Sequence, residues 1–494
     1  MLLSELLENL PEIQFPMHKT KDLYISGIHY DSRKIQPDNI FVAIGGHQTD
    51  GHLFIKKALT NGACAVIVEK LQPLPKDIMQ IVVPDTRKAL ACLAAKFYNN
   101  PSFAMCLIGI TGTNGKTTTA YLIESILKSN GHKTGVISTI EYRYNDKVFP
   151  NPLTTPESLD LQHIFFEMQT NGITHVIMEV SSHALHLNRV HGCAFDVAVF
   201  TNLSQDHLDY HKTMDEYWKC KKSLFFDPFL SQEKKPAATA VINCDSEYGQ
   251  KLRDTIHIKN ICVGLSTDNH VNCQSPEISL SNIKGNICTP KGNFELLSFL
   301  TGQHNLQNIL CAAGVGLALE IPLSSIANGF REISSIPGRL ERIKEATDRY
   351  VFVDYAHTPD AIENVSKCIK NSKPKRLITV FGCGGDRDRT KRPLMGKVAA
   401  KYSDLCIVTS DNPRSESPQL IIDDICKGIS ENYHYLVESD RKTAIQKAIN
   451  ISQPGDAILI AGKGHETYQI LNDKTIDFDD RKYASYYLNQ LKEL

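Results

Sequence analysis

The run Thr111-Gly112-Thr113-Asn114-Gly115-Lys116-Thr117 concentrates more chemistry than any other stretch of this chain. An apolar stretch, 105–110, precedes it. A helix-like stretch follows, with Ala120, Ile123, Ile126 and Leu127 on its apolar face and Gly131 as its stop. Strand, glycine turn and helix in that order are the setting of a phosphate-binding loop. Glycines let backbone N–H groups turn toward phosphate oxygens, and the helix N-terminus adds its dipole. Lys116 would neutralise β- and γ-phosphate charge, and the Thr117 hydroxyl would ligate Mg²⁺. The spacing departs from the strict Walker A pattern. Ile110 stands where the first glycine belongs, and Gly109 comes one residue too early.

Other reactive residues lie near the ends of strand-like runs. Glu179, in HVIMEVSS at 175–182, follows the strand HVIM at its C-terminal end, a usual place for ligand contacts in an open α/β sheet. His207, in SQDHLDYH, lies just past AVFTNLS at 198–204; by residue type it is a general base or a loop residue. Lys221, in EYWKCKKSLF, reads by itself as one more solvated helix lysine. Asp411-Asn412-Pro413-Arg414 follows DLCIVTS, and an arginine there can hold a carboxylate bidentately. Arg339 follows the Pro-Gly break of IPGRLERI, where it could act across a domain junction.

These residues need a scaffold of some size. The chain has 494 residues, enough for about three domains. Three α/β blocks are expected: a small N-terminal domain over 1–100, a central P-loop ATPase-like domain with a mostly parallel sheet over 101–336, and a C-terminal Rossmann-like domain over 337–494. Strand-like runs at 40–45, 64–69 and 81–85 define the first block; those at 350–356, 376–382, 404–411 and 456–464 define the third. Lys plus Arg is 54 and Asp plus Glu is 55, so the basic excess of a nucleic-acid binder is missing. The 14 cysteines include no C-x-x-C pair, which argues against zinc ribbons and redox pairs and for reduced core residues. The first residues, MLLSELLENLPEIQ, read as a short amphipathic helix rather than a signal peptide. No apolar run is long enough to span a membrane. The expected compartment is the cytosol.

Taken together, TGTNGKTTT, LTTP (153–156), MEVSSHAL (178–185), TNLSQDHLDYH (201–211), GQHNLQN (302–308), PGRLE (337–341), VDYAHTPD (353–360), GCGGDRD (382–388), DNPR (411–414) and GKGHE (462–466) resemble the Mur ligases, the amide-forming enzymes of peptidoglycan precursor synthesis. Within them, the pattern is most similar to the branch that adds the third amino acid. The resemblance implies an ATP-dependent ligase that joins meso-2,6-diaminopimelate to UDP-N-acetylmuramoyl-L-alanyl-D-glutamate through an acyl phosphate, releasing ADP and phosphate. A lysine-adding homologue or a folylpolyglutamate-type ligase is the alternative. The enzyme is expected to act as a monomer, without nucleic acid and without membrane insertion.

The same resemblance assigns roles. Gly112, Thr113, Asn114, Gly115, Lys116, Thr117 and Thr118 take the ATP phosphates. His304, Asn305, Asn308, Arg339 and Asp354 take the rest of the nucleotide. Thr117 and Glu179 share one Mg²⁺. His207 ligates a second, together with Lys221 as its carbamate, because Lys221 falls at the family's carbamylated position, 14 residues after the motif histidine. Tyr30, Ser32, His47, Gln48 and Thr49 meet the uridine diphosphate side of the substrate. Thr154, Thr155, Ser181 and Arg189 meet its peptide side; Leu187 departs there from a polar residue of some relatives. Arg387, Asp411, Asn412, Pro413, Arg414, Gly462 and Glu466 bind diaminopimelate, whose extra carboxylate distinguishes it from lysine.

Overall fold

The computed structural model describes residues 1–8, 10, 13, 22–46, 49–75, 78–226, 238–472 and 474–493. The first 100 residues form a four-stranded parallel sheet of Gly27–His29, Asn39–Val42, Ala63–Val68 and Met79–Val82, in that order. Alternating side chains supply its two faces, as the two-residue period of a strand requires. Ile40, Val42, Ala65 and Ile67 pack with helix residues Leu90, Leu93 and Ala94, whereas Phe41, Ala43, Val66 and Val68 pack with Ile55 and Ala58. The N-terminal helix is shorter than the 14-residue reading, Leu3–Leu7, and part of that stretch lies outside the described residues.

The central sheet has eight strands. Asn260–Val263, Thr239–Asn243, Val197–Phe200, Cys106–Thr111, His175–Glu179 and Thr134–Ile137 run parallel, and the hairpin of Glu141–Tyr144 and Lys147–Pro150 adds two antiparallel strands. Cys106–Thr111 sits between Val197–Phe200 and His175–Glu179. Their C-terminal ends therefore deliver three loops side by side: 112–115, 180–181 and 201–204. This is the usual binding edge of an open parallel sheet.

The third block contains the six-stranded sheet Glu341–Arg342, Tyr350–Asp354, Ala457–Ala461, Leu377–Phe381, Leu405–Val408 and Tyr435–Val437, parallel except for the first strand. Phe352, Leu377 and Phe381 face one core; Val351, Val353, Ile378 and Val380 face the other. Two features went unread in the sequence. One is the three-stranded sheet of Asn272–Ile278, Ile283–Thr289 and Gly292–Ser298; the other is the hairpin of Tyr468–Leu471 and Lys474–Asp477.

The chain divides into two compact units. Unit 1 comprises Met1–Asn272, Thr289–Gly292 and Gln307–Gly329; unit 2 comprises Cys273–Cys288, Asn293–Leu306 and Phe330–Leu494. Among the described residues no helix is long and apolar enough to cross a membrane. None of the 14 cysteines forms a disulfide and none is exposed.

Candidate active site

In unit 1 the phosphate loop leads into helix Lys116–Ser129. Gly112 and Gly115 have φ of +150° and +84°, a region that disfavours any side chain. A Cβ on Gly112 would stand 1.9 Å from Thr201 Oγ1, and one on Gly115 would stand 2.2 Å from Asn308 Oδ1. The close approach follows from how the loop is laced to residues 201–204. Thr113 N donates to Asn202 O (3.0 Å), Asn114 N to Asn202 Oδ1 (3.0 Å), and Thr201 Oγ1 to Asn114 O (2.6 Å). Thr118 is buried in the first helical turn.

Two amines converge on this loop. Lys116 Nζ donates to the carbonyls of Gly112 and Thr113, each at 2.8 Å. Lys221 Nζ, from helix Met214–Lys222, donates to the same Gly112 carbonyl at 2.8 Å. Lys221 is 1% exposed, so the solvated reading of its side chain does not hold. Burial, and then the Lys116 charge, hold its pKa well below the ordinary lysine range. The Tyr217 ring lies 4.7 Å from its Nζ, and the Tyr217 hydroxyl pairs with Thr113 Oγ1 at 3.1 Å.

Glu179 is equally buried. Thr117 Oγ1 donates to its Oε1 at 2.8 Å, Thr139 N to the same oxygen at 3.0 Å, and Thr139 Oγ1 to Oε2 at 2.9 Å. A hydroxyl whose proton is turned to a carboxylate presents its lone pairs to a cation. Among the described residues no cluster of three or more His, Cys, Asp or Glu side chains could cage a metal. One hydroxyl and one carboxylate instead suit a cation that keeps water and phosphate oxygens in its shell. His207 stands at φ +53°, its Nε2 3.4 Å from Asp206 Oδ2 and its ring 6.1 Å from that of Tyr217. Burial lowers its pKa; Asp206 opposes the shift and Lys116 adds to it.

The neighbouring loops carry the peptide-side candidates. Thr154 Oγ1 meets Thr139 Oγ1 at 3.1 Å, Thr155 Oγ1 donates to Glu179 O at 2.9 Å, and Ser181 caps helix Ser182–His186. Arg189 Nη1 donates to Thr155 O at 3.1 Å, and its Nε lies 3.4 Å from Glu157 Oε2, which also binds Arg87 at 3.1 Å. Thr139, Glu157, Asn202 and Tyr217 belong to this assembly and were missed. They are common polar types with no motif spacing of their own.

The uridine-side candidates make other contacts. Tyr30 Oη donates to Asp160 Oδ2 at 2.5 Å, and burial, with Asp160, raises its pKa. Ser32 is buried, its carbonyl accepting from Asn61 Nδ2 at 2.8 Å. Thr49 is exposed; His47 and Gln48 lie outside the described residues.

Unit 2 gathers its candidates at the ends of strands Ala457–Ala461, Leu377–Phe381 and Leu405–Val408. Arg414, at φ +52°, donates through Nη1 to Gly385 O at 2.7 Å. Asn412 Nδ2 donates to Glu466 Oε2 at 2.9 Å. A Cβ on Gly462 would come within 2.4 Å of Asp411 Oδ2. Pro413 O lies where a Cβ on Gly385 would fall, and Arg387 Cγ lies 3.8 Å from the Cβ position of Gly384, so 382–387 packs on 411–414. Asp354 accepts from Leu340 N (2.6 Å) and Ala356 N (2.8 Å), which fixes the PGRLE turn. Burial raises its pKa against the pull of Arg339. The Arg339 guanidinium stacks 5.1 Å from the Tyr355 ring. His304 and Asn305 belong to this unit, Asn305 Nδ2 donating to Thr301 O at 2.8 Å; Asn308 belongs to unit 1.

Residues 24–98 match the family described as "Mur ligase family, catalytic domain", residues 110–316 "Mur ligase middle domain", and residues 338–464 "Mur ligase, glutamate ligase domain". The chain is 44% identical over 478 residues to a UDP-N-acetylmuramoyl-L-alanyl-D-glutamate–2,6-diaminopimelate ligase of Caldanaerobacter subterraneus subsp. tengcongensis, covering 97% of each chain. It is 43% identical to a ligase of the same name from Geobacillus thermodenitrificans, covering 98% of each. A solved structure of an enzyme of that name superposes with a TM-score of 0.72 at 31% identity, covering all of both chains. A folylpolyglutamate synthase of Mycobacterium tuberculosis, at 18% identity and TM-score 0.60 over 76% of this chain and 92% of its own, shares the fold. The chain belongs to the Mur ligase family.

Proposed function

We propose that this protein is an ATP-dependent ligase that forms an amide between meso-2,6-diaminopimelate and the D-glutamyl carboxylate of UDP-N-acetylmuramoyl-L-alanyl-D-glutamate, a step of peptidoglycan synthesis in the cytosol. The γ-phosphoryl group of ATP passes to a carboxylate oxygen and ADP leaves. The amine attacks the acyl carbon, the C–O bond to phosphate breaks, and the amide remains. Gly112 to Thr118 cradle the phosphates, and Lys116 exchanges the loop carbonyls for phosphate oxygens. Thr117 and Glu179 would hold Mg²⁺, and His207 with carbamylated Lys221 a second; the cation supplies charge neutralisation at the transferring phosphoryl group. His304, Asn305, Asn308, Arg339 and Asp354 take the rest of ATP. Tyr30, Ser32 and Thr49, with His47 and Gln48, take the uridine diphosphate, and Thr154, Thr155, Ser181 and Arg189 the peptide.

The observation that carries this reading is the convergence of Lys116 and Lys221 on the Gly112 carbonyl. An amine kept below its usual pKa is the form that adds to CO₂, and the resulting carbamate is a hard oxygen ligand. For the incoming amino acid, Arg414 and Arg387 suit carboxylates, and Asp411 and Glu466 suit amines. This pairing favours diaminopimelate over lysine, which lacks the second carboxylate.

The test is phosphate release by purified protein with ATP, Mg²⁺ and the UDP-muramoyl-dipeptide, diaminopimelate being compared with lysine. Release is expected with diaminopimelate. Release with lysine alone overturns the amino-acid assignment, and release with neither overturns the ligase reading.

A further inference from the structure

Unit 2 holds a buried amine that none of the assignments above uses. Lys463 follows strand Ala457–Ala461 in Gly462-Lys463-Gly464-His465-Glu466 and is 0% exposed. Its Nζ donates to Tyr468 O at 2.7 Å, to Asn412 Oδ1 at 2.9 Å and to Glu466 Oε2 at 3.3 Å. Three N–H bonds meet three oxygen acceptors, which fully satisfies an ammonium. The flanking glycines allow the close packing around it. Gly462 and Gly464 have φ of +119° and +54°, and a Cβ on Gly464 would lie 2.7 Å from Tyr355 Cβ.

Two of those acceptors are residues proposed to bind the incoming amino acid. A side-chain amide can sit in two orientations that exchange its oxygen and nitrogen. At Asn412 both Lys463 Nζ and Ile470 N (3.0 Å) demand an acceptor, so Oδ1 must face them. Nδ2 is thereby turned toward Glu466 Oε2, 2.9 Å away. Glu466 Oε2 in turn receives the amide and the ammonium together. Without the lysine, the amide loses one of the two donors that fix its orientation, and the carboxylate loses its cation.

We infer that Lys463 is the positioning residue of the amino-acid pocket, holding the Asn412 amide and the Glu466 carboxylate in the one orientation that receives diaminopimelate. The inference rests on the ligase reading above. Lys463 acts through its neighbours, so its effect falls on amino-acid binding and spares ATP.

Steady-state phosphate release by the full-length protein tests this, with wild type compared with Lys463→Met, Asn412→Ala and the double variant. Lys463→Met should raise KM for diaminopimelate about tenfold or more, the usual effect of losing a charge-assisted hydrogen bond. KM for ATP should stay within about twofold of wild type. The double variant should match the poorer single variant within about twofold, because residues acting through one contact are not additive. Additive losses, or equal rises in both KM values, overturn the inference. Should Lys463→Met fail to fold, Asn412→Asp decides. It leaves Lys463 an acceptor and turns an oxygen toward Glu466 Oε2, so KM for diaminopimelate should rise about tenfold by repulsion; a wild-type KM overturns the inference. A wild type that releases no phosphate overturns the ligase reading and this inference with it. An active wild type with unaffected variants overturns the inference alone.

Discussion

Lys221 and Lys463 are both buried lysines, at 1% and 0% exposure, and their surroundings differ in kind. Lys221 Nζ meets one backbone carbonyl, shared with the Lys116 cation, and the face of Tyr217. Lys463 Nζ also lies near a tyrosine ring, that of Tyr468 at 5.6 Å, but it meets three oxygens, one of them a carboxylate. Burial penalises the charged amine unless oxygens compensate it. At Lys221 they do not, and its pKa falls well below the usual range. The two amines thus differ in the oxygens that receive them, one at Lys221 and three at Lys463.

Removing the two amines tests that contrast most directly. Lys221→Ala should cut phosphate release at least about a hundredfold, as losing one preorganised electrostatic group at a reaction centre does. Added formate or acetate should restore part of the rate, by supplying the carboxylate the carbamate would have provided. Lys463→Met should show no such rescue. Rescue of both, or a wild-type rate for Lys221→Ala, would break the comparison.

The contrast also marks what the chain discloses in advance. The phosphate loop was legible because strand, glycines, lysine and threonine are contiguous, and the parallel strands because their apolar runs are bounded by turn residues. Lys221 was legible only through resemblance. Its neighbours Lys219 and Lys222 are the same type, and nothing local shows that helix Met214–Lys222 turns the middle one toward Gly112. Lys463 was missed because a lysine between two glycines looks solvated until Asn412 and Tyr468 fold over it. The sheet over 272–298 went unread because polar residues such as Gln274, Ser275 and Glu277 interrupt its apolar pattern. For the two lysines a deciding partner lies far away in sequence, Gly112 for Lys221 and Asn412 for Lys463.

Acid should act on the Lys463 region with a smaller effect. His465 stands beside the Lys463 shell, and burial, then Arg339 and Arg481, push its pKa down to about 4. The folded pKa lies below the unfolded value near 6.5, so the unfolded chain binds more protons between these limits. The neutral imidazole therefore contributes stability that is present above about pH 6.5 and lost as pH falls toward 4. The slope for one such group is at most about 1.4 kcal/mol per pH unit, and partial solvation reduces it. Denaturant unfolding across this range should show a shallower slope for His465→Gln than for wild type. An unchanged slope would show that the protonation state of His465 has no bearing on the stability of this loop.

Tyr217→Phe should give the smallest effect and the finest discrimination. The change keeps the ring under Lys221 and removes the hydroxyl paired with Thr113 Oγ1. Thr113 Oγ1 keeps its contacts with Ser204, accepting from the amide at 3.0 Å and donating to the carbonyl at 3.2 Å, so the phosphate loop loses one tie among several. A neutral hydrogen bond contributes about 0.5–1.5 kcal/mol, so kcat/KM for ATP should fall about two- to tenfold. Tyr217→Leu removes the ring as well and should approach the loss seen in Lys221→Ala. At Lys463 the tyrosine contacts are the Tyr468 backbone carbonyl and, 5.6 Å away, its ring, both of which phenylalanine keeps, so Tyr468→Phe should leave KM for diaminopimelate unchanged. If Tyr217→Phe is as damaging as Tyr217→Leu, the hydroxyl rather than the ring governs Lys221. The low acceptor count around that amine would then no longer explain its chemistry.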